Sequence, residues 1–345
     1  MMQNMISKIK DIATYFPAQT LDNAALAELY PGWPAEKIYE KTGIRRRHIA
    51  AADETATDLA YGAAQKLFSQ GAVDPEDVDF LILCTQAPDY VLPTSACLLQ
   101  ERLGLRTSIG ALDVNLGCSG FVYGLSLAKG LIESGSARCV LLLTADTYSK
   151  YINPMDKSVR TLFGDAAAAT AIVGAESGAD GRGGIGPFIF GTDGQGARNL
   201  IVEAGLFRTP RSDQTAKEQI DDSGNIRSRN DLYMNGAEVM AFSLKEVPKA
   251  AALLLERAGI SMEAIDYVVL HQANKFMLDA LRRKLKLAEA KVPILVENCG
   301  NTVSSTIPIA LHTMFVESGV PRNGMRMMLI GFGVGYSWAA CLVDF

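Results

Sequence analysis

Histidine is scarce in this chain: 345 residues contain His48, His271 and His312 and no others. Six cysteines stand at 84, 97, 118, 139, 299 and 341, but no pair has the Cys-x-x-Cys spacing of a metal ligand set. That pattern excludes a zinc module and a disulfide framework, and it fits a reducing cytoplasm. No apolar run approaches the roughly 20 residues needed to span a bilayer, so no membrane insertion is expected. The first ten residues lack the long apolar segment of a signal peptide. An excess of basic charge is missing too. The formal net charge is −5, which argues against a general nucleic-acid binder. Glycine is plentiful, yet Gly-x-x-x-x-Gly-Lys does not occur, so a phosphate-cradling loop is not expected. What is present, 48% hydrophobic and 21% charged residues, is ordinary for a globular protein with a substantial core.

Against that background Cys118 is the informative residue. It lies in Asp113-Val-Asn-Leu-Gly-Cys-Ser-Gly120, which reads as an apolar strand, a small-residue turn and a helix over 121–132. A thiol at such an elbow faces the positive end of the helix dipole, a field that favours the nucleophilic thiolate. Taken alone, a cysteine there is equally a small buried hydrophobe.

A faint internal duplication adds to it. Asp79-Phe-Leu-Ile-Leu-Cys84 pairs with Asp266-Tyr-Val-Val-Leu-His271, and amphipathic stretches at 59–68 and 247–258 precede them. Asn115-Leu-Gly-Cys118 then pairs with Asn298-Cys-Gly-Asn301, and Glu133-Ser-Gly135 with Glu317-Ser-Gly319. Cys139-Val-Leu-Leu-Leu pairs with Met327-Met-Leu-Ile. Two related α/β halves follow, over 1–175 and 176–345, with the boundary in the glycine-rich stretch 174–196. In this arrangement Cys118 is the elbow of the first half and Asn301 that of the second. His271 ends a second-half strand. A pseudo-twofold brings all three to one crevice at strand ends, where open α/β sheets bind their ligands. The polar segment 203–229 reads as a surface excursion.

Further segments stand in order around Cys118. They are Thr42-Gly-Ile-Arg-Arg-Arg-His-Ile-Ala50, Pro88-Asp-Tyr-Val-Leu-Pro-Thr-Ser-Ala96, Phe163-Gly-Asp165, His271-Gln-Ala-Asn274, Asn298-Cys-Gly-Asn301 and Gly331-Phe-Gly-Val-Gly335. With them the chain resembles the β-ketoacyl-acyl carrier protein synthase III family over nearly its whole length. The resemblance implies a thiolase-like fold, with two pseudo-duplicated halves in a layered α-β-α-β-α body. It implies that Cys118 attacks an acyl thioester. His271 and Asn301 then hydrogen-bond the carbonyl of a malonyl thioester as it loses carbon dioxide, and the resulting carbanion is acylated. The backbone N–H of Cys118, with one from Gly333, Val334 or Gly335, supplies the oxyanion hole. Phe332 walls the pocket against water, and Leu92 stands at an acyl-pocket position often held by Phe. No permanently bound cofactor is implied. Acyl-coenzyme A and malonyl-acyl carrier protein are the implied substrates, and the carrier protein is a partner. A homodimer is implied through strand 139–145, with the 88–93 loop reaching toward the partner's pocket.

Other condensing enzymes fit less well. Degradative thiolases use a second catalytic cysteine near the C-terminus, whereas Cys341 lies on an apolar strand over 338–343. Hydroxymethylglutaryl-coenzyme A synthases carry a glutamate general acid near the position of Gln86, and an amide cannot donate that proton. Departures also bear on the substrate. Lys37 and Lys41 stand where the family has Trp and Arg, with Trp33 displaced upstream. Lys275 and Phe276 stand near a carrier-entrance Arg. Val334 replaces a common Gly. Lys157, Lys275, Phe276 and Arg282 join Lys37 and Lys41 as candidates for carrier or coenzyme A binding. Arg283, Lys284 and Lys286 extend the basic charge, either as a dock for an acidic carrier or as a solvated helix face. Arg45, Arg46 and Arg47 either enlarge that patch or pair with internal acids. Two alternatives stay open: acyl transfer to an amine, alcohol or thiol in a specialised pathway, and a non-catalytic partner subunit.

Overall fold

Strand alternation lays out the body of this computed structural model, which describes residues 5–176 and 183–345. Residues 177–182, inside the stretch where the boundary between halves is expected, lie outside the described residues. The first sheet contains β1 (Met5–Tyr15), β2 (Phe80–Cys84), β3 (Gly110–Val114), β4 (Cys139–Asp146) and β5 (Ala166–Glu176), in the order β1-β5-β4-β2-β3. The second contains β6 (Gly184–Thr192), β7 (Tyr267–Leu270), β8 (Arg326–Gly333) and β9 (Ser337–Asp344), in the order β6-β9-β8-β7. In each sheet the corresponding pair is parallel, β2 with β4 and β7 with β8, and the remaining neighbours towards the first strand are antiparallel.

Successive side chains on a strand point to opposite faces. Leu81, Leu83, Leu141 and Leu143 therefore meet the outer helix α1 (Ala56–Ser69), while Ile82, Val140 and Leu142 face inward. On the second sheet Val268, Leu270, Met328 and Ile330 face the outer helices α3 (Gly236–Ala258) and α4 (Lys275–Lys284), and Val269, Met327 and Leu329 face inward. Between the inward faces run α2 (Gly120–Glu133) and α5 (Thr306–His312). Both must be apolar around most of their circumference, because each touches a sheet on either side. The result is five layers, α-β-α-β-α.

The duplication extends to single hydrogen bonds. The Asp79 N–H donates to Cys139 O, and the Asp266 N–H donates to Arg326 O, each at 2.9 Å. The Asp79 carboxylate accepts from the N–H groups of Arg138 and Cys139, and that of Asp266 from Arg326. These bonds correct the sequence pairing by one residue: Cys139 corresponds to Arg326, and Val140 to Met327. The halves differ at one edge. Nothing among the described residues of the second sheet matches β3. There Pro293 lacks an N–H, and the Gln272 side chain stands in for a ladder. It donates to Pro293 O at 3.3 Å and accepts from the Leu295 N–H at 2.8 Å.

Segment 203–229 is ordered. Its short strands Gln219–Ile220 and Ile226–Arg227 pair, Arg227 bridges Asp156 and Asp221, and Arg229 bridges Glu203. It has no periodicity because its order comes from ion pairs rather than a buried face.

Candidate active site

Two elbows converge because each feeds a helix of the central layer. Cys118 immediately precedes the Ser119 cap of α2, and Asn301 precedes the single turn Val303–Ser305 that leads into α5. His271 follows β7, extending its ladder by one bond from its N–H to Ile330 O. Cys118, His271, Asn301, Phe332 and Gly333 line one cavity of about 270 Å³. Phe163, from the Phe163-Gly-Asp165 segment, also lines it, as do Ser158, Leu162, Met234, Gly236 and Met277, which no motif distinguishes in the sequence.

Three sequence motifs meet in one junction behind this cavity. The Asn301 N–H donates to Leu162 O at 2.9 Å, and the Gly164 N–H donates to Asn301 O at 3.0 Å. Arg47 is fully buried against this crossing, donating to Thr161 O and to Asn23 Oδ1. Buried, it does not extend the surface patch, and among the described residues it bridges no acid, the other alternative; burial, followed by the nearby Arg160, lowers its pKa to about 10. A Cβ on Gly164 would lie 2.3 Å from Cys299 O, and one on Gly300 would lie 2.7 Å from Leu162 O. Side chains at either position would drive the crossing apart.

The electrostatics at Cys118 oppose the expectation from the helix dipole. Cys118 is 5% exposed. Burial first, and the Asp146 carboxyl second, push its pKa up to about 12, although backbone N–H groups of Val334 and Cys118 pull the other way. Desolvation thus outweighs the two backbone donors and favours the protonated thiol. Asp146 is buried as well, and its own pKa is raised to about 7, chiefly by burial. It accepts from the N–H of Gln86 and from the Ser304 hydroxyl, linking β4 to the Asn301 turn. Gln86 stands beside the cysteine turn with its Oε1 taken by the Tyr148 hydroxyl at 2.6 Å.

His271 is 2% exposed, and burial lowers its pKa to about 3, so it is a neutral imidazole. Its Nδ1 lies 2.7 Å from Thr306 Oγ1, and Phe332 meets the ring edge-on at 5.5 Å. Asn301 Oδ1 accepts from the Val303 N–H at 2.9 Å, which leaves the amide NH₂ to donate elsewhere. Val303 has φ 55°, an outlier for a β-branched residue, at this turn.

The final loop supplies close approach. A Cβ on Gly333 would lie 2.8 Å from both Cβ and Sγ of Cys118, so only glycine leaves the thiol its place. Val334 packs with Cys118 and Val303, and the left-handed φ of 137° falls on Gly335. Val334 therefore replaces a glycine without backbone strain.

The remaining candidates lie elsewhere. Leu92 is 79% exposed and does not line the cavity. Lys37 and Lys41 lie over the Trp33 ring at 5.1 and 6.0 Å, so the displaced tryptophan rejoins them in space. Lys157 donates to Ser223 O. Lys275 and Arg282 both pair with Asp279, and Phe276 is exposed. Gly43, with φ 70°, would bring a Cβ within 2.4 Å of Lys275 Cβ, which ties the Thr42-Gly-Ile-Arg segment to α4. Arg45 pairs with Glu297. Cys341 is buried in β9. Strand β4 is bonded on both edges, so the expected dimer strand has no free edge, whereas β3 lies at the sheet's end.

Among the described residues no helix is long and apolar enough to cross a membrane, and no group of three or more His, Cys, Asp or Glu is placed to hold a metal ion. Residues 112–194 match the family model for 3-oxoacyl-[acyl-carrier-protein] synthase III, and residues 255–345 match its C-terminal model. The chain is 34% identical over 343 residues to a β-ketoacyl-[acyl-carrier-protein] synthase III of Caldanaerobacter subterraneus, covering 99% of each. It is 36% identical over 346 residues to one of Methylococcus capsulatus, covering 98% of this chain and 99% of that one. A crystal structure of a 3-oxoacyl-(acyl-carrier-protein) synthase III superposes with TM-score 0.96 at 68% identity, over 99% of this chain and 100% of that one. The Thermus thermophilus enzyme superposes at 0.85 and 35%, over 98% and 99%. The chain belongs to the β-ketoacyl-[acyl-carrier-protein] synthase III family of thiolase-fold condensing enzymes.

Proposed function

We propose that this enzyme makes a 3-oxoacyl thioester by decarboxylative Claisen condensation, with Cys118, His271 and Asn301 as its catalytic residues. The observation that carries the reading is the meeting of a thiol and two neutral hydrogen-bonding side chains in one cavity. In the first step Cys118 Sγ attacks an acyl thioester, the thiol proton passes to the departing thiol, and the acyl group stays on sulfur. The N–H groups of Cys118 and Val334 hold the oxyanion. A malonyl thioester then enters. Its carboxylate leaves as carbon dioxide, and His271 and Asn301 donate to the enolate oxygen. The carbanion attacks the acyl carbonyl and Cys118 leaves as thiolate. Neutral donors suit this step, since they stabilise the enolate without protonating it. The donors are acyl-coenzyme A and malonyl-acyl carrier protein, the protein works in the cytoplasm, and the two halves divide at 175/176. Trp33, Lys37, Lys41 and Lys157 receive coenzyme A, while α4 receives the carrier. Acyl transfer without decarboxylation is less well supported, because the chain's relatives are synthases.

The test separates the two steps. Cys118→Ser blocks acylation outright, seen as loss of the acyl mass. Asn301→Ala and His271→Ala accept the acyl group but release carbon dioxide from malonyl thioester about a hundred- to thousandfold more slowly, the usual loss for one oxyanion donor. Wild-type carbon dioxide release by Asn301→Ala sinks the assignment.

A further inference from the structure

We propose that Thr306 is a positioning residue that sets the tautomer of His271: its hydroxyl donates to Nδ1, so that the ring proton sits on Nε2 and the cavity meets a donor. The inference rests on the reading of His271 as a donor to the enolate. A neutral imidazole has one N–H and one bare nitrogen, and the partner of one nitrogen decides the role of the other. Among the described residues, Thr306 Oγ1, 2.7 Å from Nδ1, is the one hydrogen-bond partner of the ring. That hydroxyl has a competing acceptor, Val303 O, at 3.1 Å. Val303 O, however, already accepts the backbone N–H of Thr306. It does not need the hydroxyl proton, whereas a bare Nδ1, buried with the ring, has no other donor among the described residues.

The opposite allocation would have Nδ1–H donate to Oγ1 and turn a lone pair into the cavity. That lone pair would repel an enolate oxygen and would make His271 a base toward Cys118 instead. One hydroxyl therefore selects between two chemistries. Its own placement is firm: Thr306 is buried at the first position of α5, just after the turn that includes Val303. Val303 orients both candidate donors. Its N–H holds Asn301 Oδ1, and its carbonyl lies next to the Thr306 hydroxyl that serves His271.

The experiment is nitrogen NMR of the full-length enzyme labelled with ¹⁵N in histidine. Only three histidines contribute, and His271→Ala identifies the signals of interest. The expected spectrum of the unliganded enzyme has a pyridine-type Nδ1 and a pyrrole-type, protonated Nε2. Thr306→Val should move both toward a mixed population and slow carbon dioxide release roughly 10- to 100-fold, while acylation of Cys118 stays normal. Thr306→Ser should restore spectrum and rate. A protonated Nδ1 in the wild type overturns the proposal whether or not Thr306→Val folds. So does a Thr306→Val enzyme with the wild-type tautomer and rate. If instead the spectrum is as expected but His271→Ala decarboxylates normally, the tautomer assignment holds and the donor reading fails.

Discussion

Cys118 carries a conflict that its neighbours explain. Two backbone donors and a helix start favour thiolate, yet burial and the Asp146 carboxyl hold the thiol's pKa near 12. Below that value the thiolate fraction rises tenfold per pH unit. Asp146 titrates near 7, so above that pH its new negative charge offsets part of the gain. Alkylation of Cys118 by iodoacetamide should therefore rise less than tenfold per unit between pH 6 and 8. In Asp146→Asn the slope should return to tenfold and the rate at pH 8 should exceed that of wild type. An unchanged profile would remove Asp146 from the account. Gly333 is the second residue whose identity is dictated locally. Alanine there forces its Cβ onto the thiol, and overpacking of this kind costs about 1–3 kcal/mol. Gly333→Ala should lose acylation by mass spectrometry while it keeps its circular dichroism. A fully acylated Gly333→Ala would show that the loop yields.

Among elements, the crossing of the 162–164 and 299–301 segments over Arg47 decides where Asn301 sits. Arg47→Met preserves much of the volume but leaves Thr161 O and Asn23 Oδ1 without their donor. Each acceptor left unpaired costs roughly 1–3 kcal/mol, so chemical denaturation should show a clear loss of stability. Condensation should suffer more than acylation, because the Asn301 side of the cavity loses its support. Equal defects in both steps would argue against that coupling. The Thr42-Gly-Ile-Arg motif is thus structural in part. Gly43 admits Lys275, and Arg47 fills the junction behind the cavity.

In the whole molecule, two sheets share a central pair of helices, and the sheet that begins the chain ends at β3 with one unpaired edge. Nearby in sequence, Tyr90, Val91 and Leu92 are all exposed. An open strand edge and exposed apolar residues are both surface that a second copy would cover. A homodimer built across β3 is expected, in place of one built across β4. Light scattering at micromolar concentration should give twice the 37.1 kDa chain mass. A monomer would contradict this.

The chain's own pattern was enough to bring Cys118, His271 and Asn301 forward as one candidate set, and the fold lines one cavity with them, because apolar strands and small-residue elbows repeat with nearly the same spacing in both halves. The unbroken apolar runs along 80–84 and 267–270 are likewise the pattern of strands with two buried faces. Those are local properties, written in neighbouring residues. Other features became visible only when distant segments met. Asp146 and Thr306 lie in no motif, and the segment that holds Arg47 does not show that its side chain props the Asn301 crossing, since each of the three acts on a group far away in sequence. The charge state of Cys118 also depended on the fold. A helix dipole can be inferred from a turn, but the burial that outweighs it belongs to the packed body around the thiol.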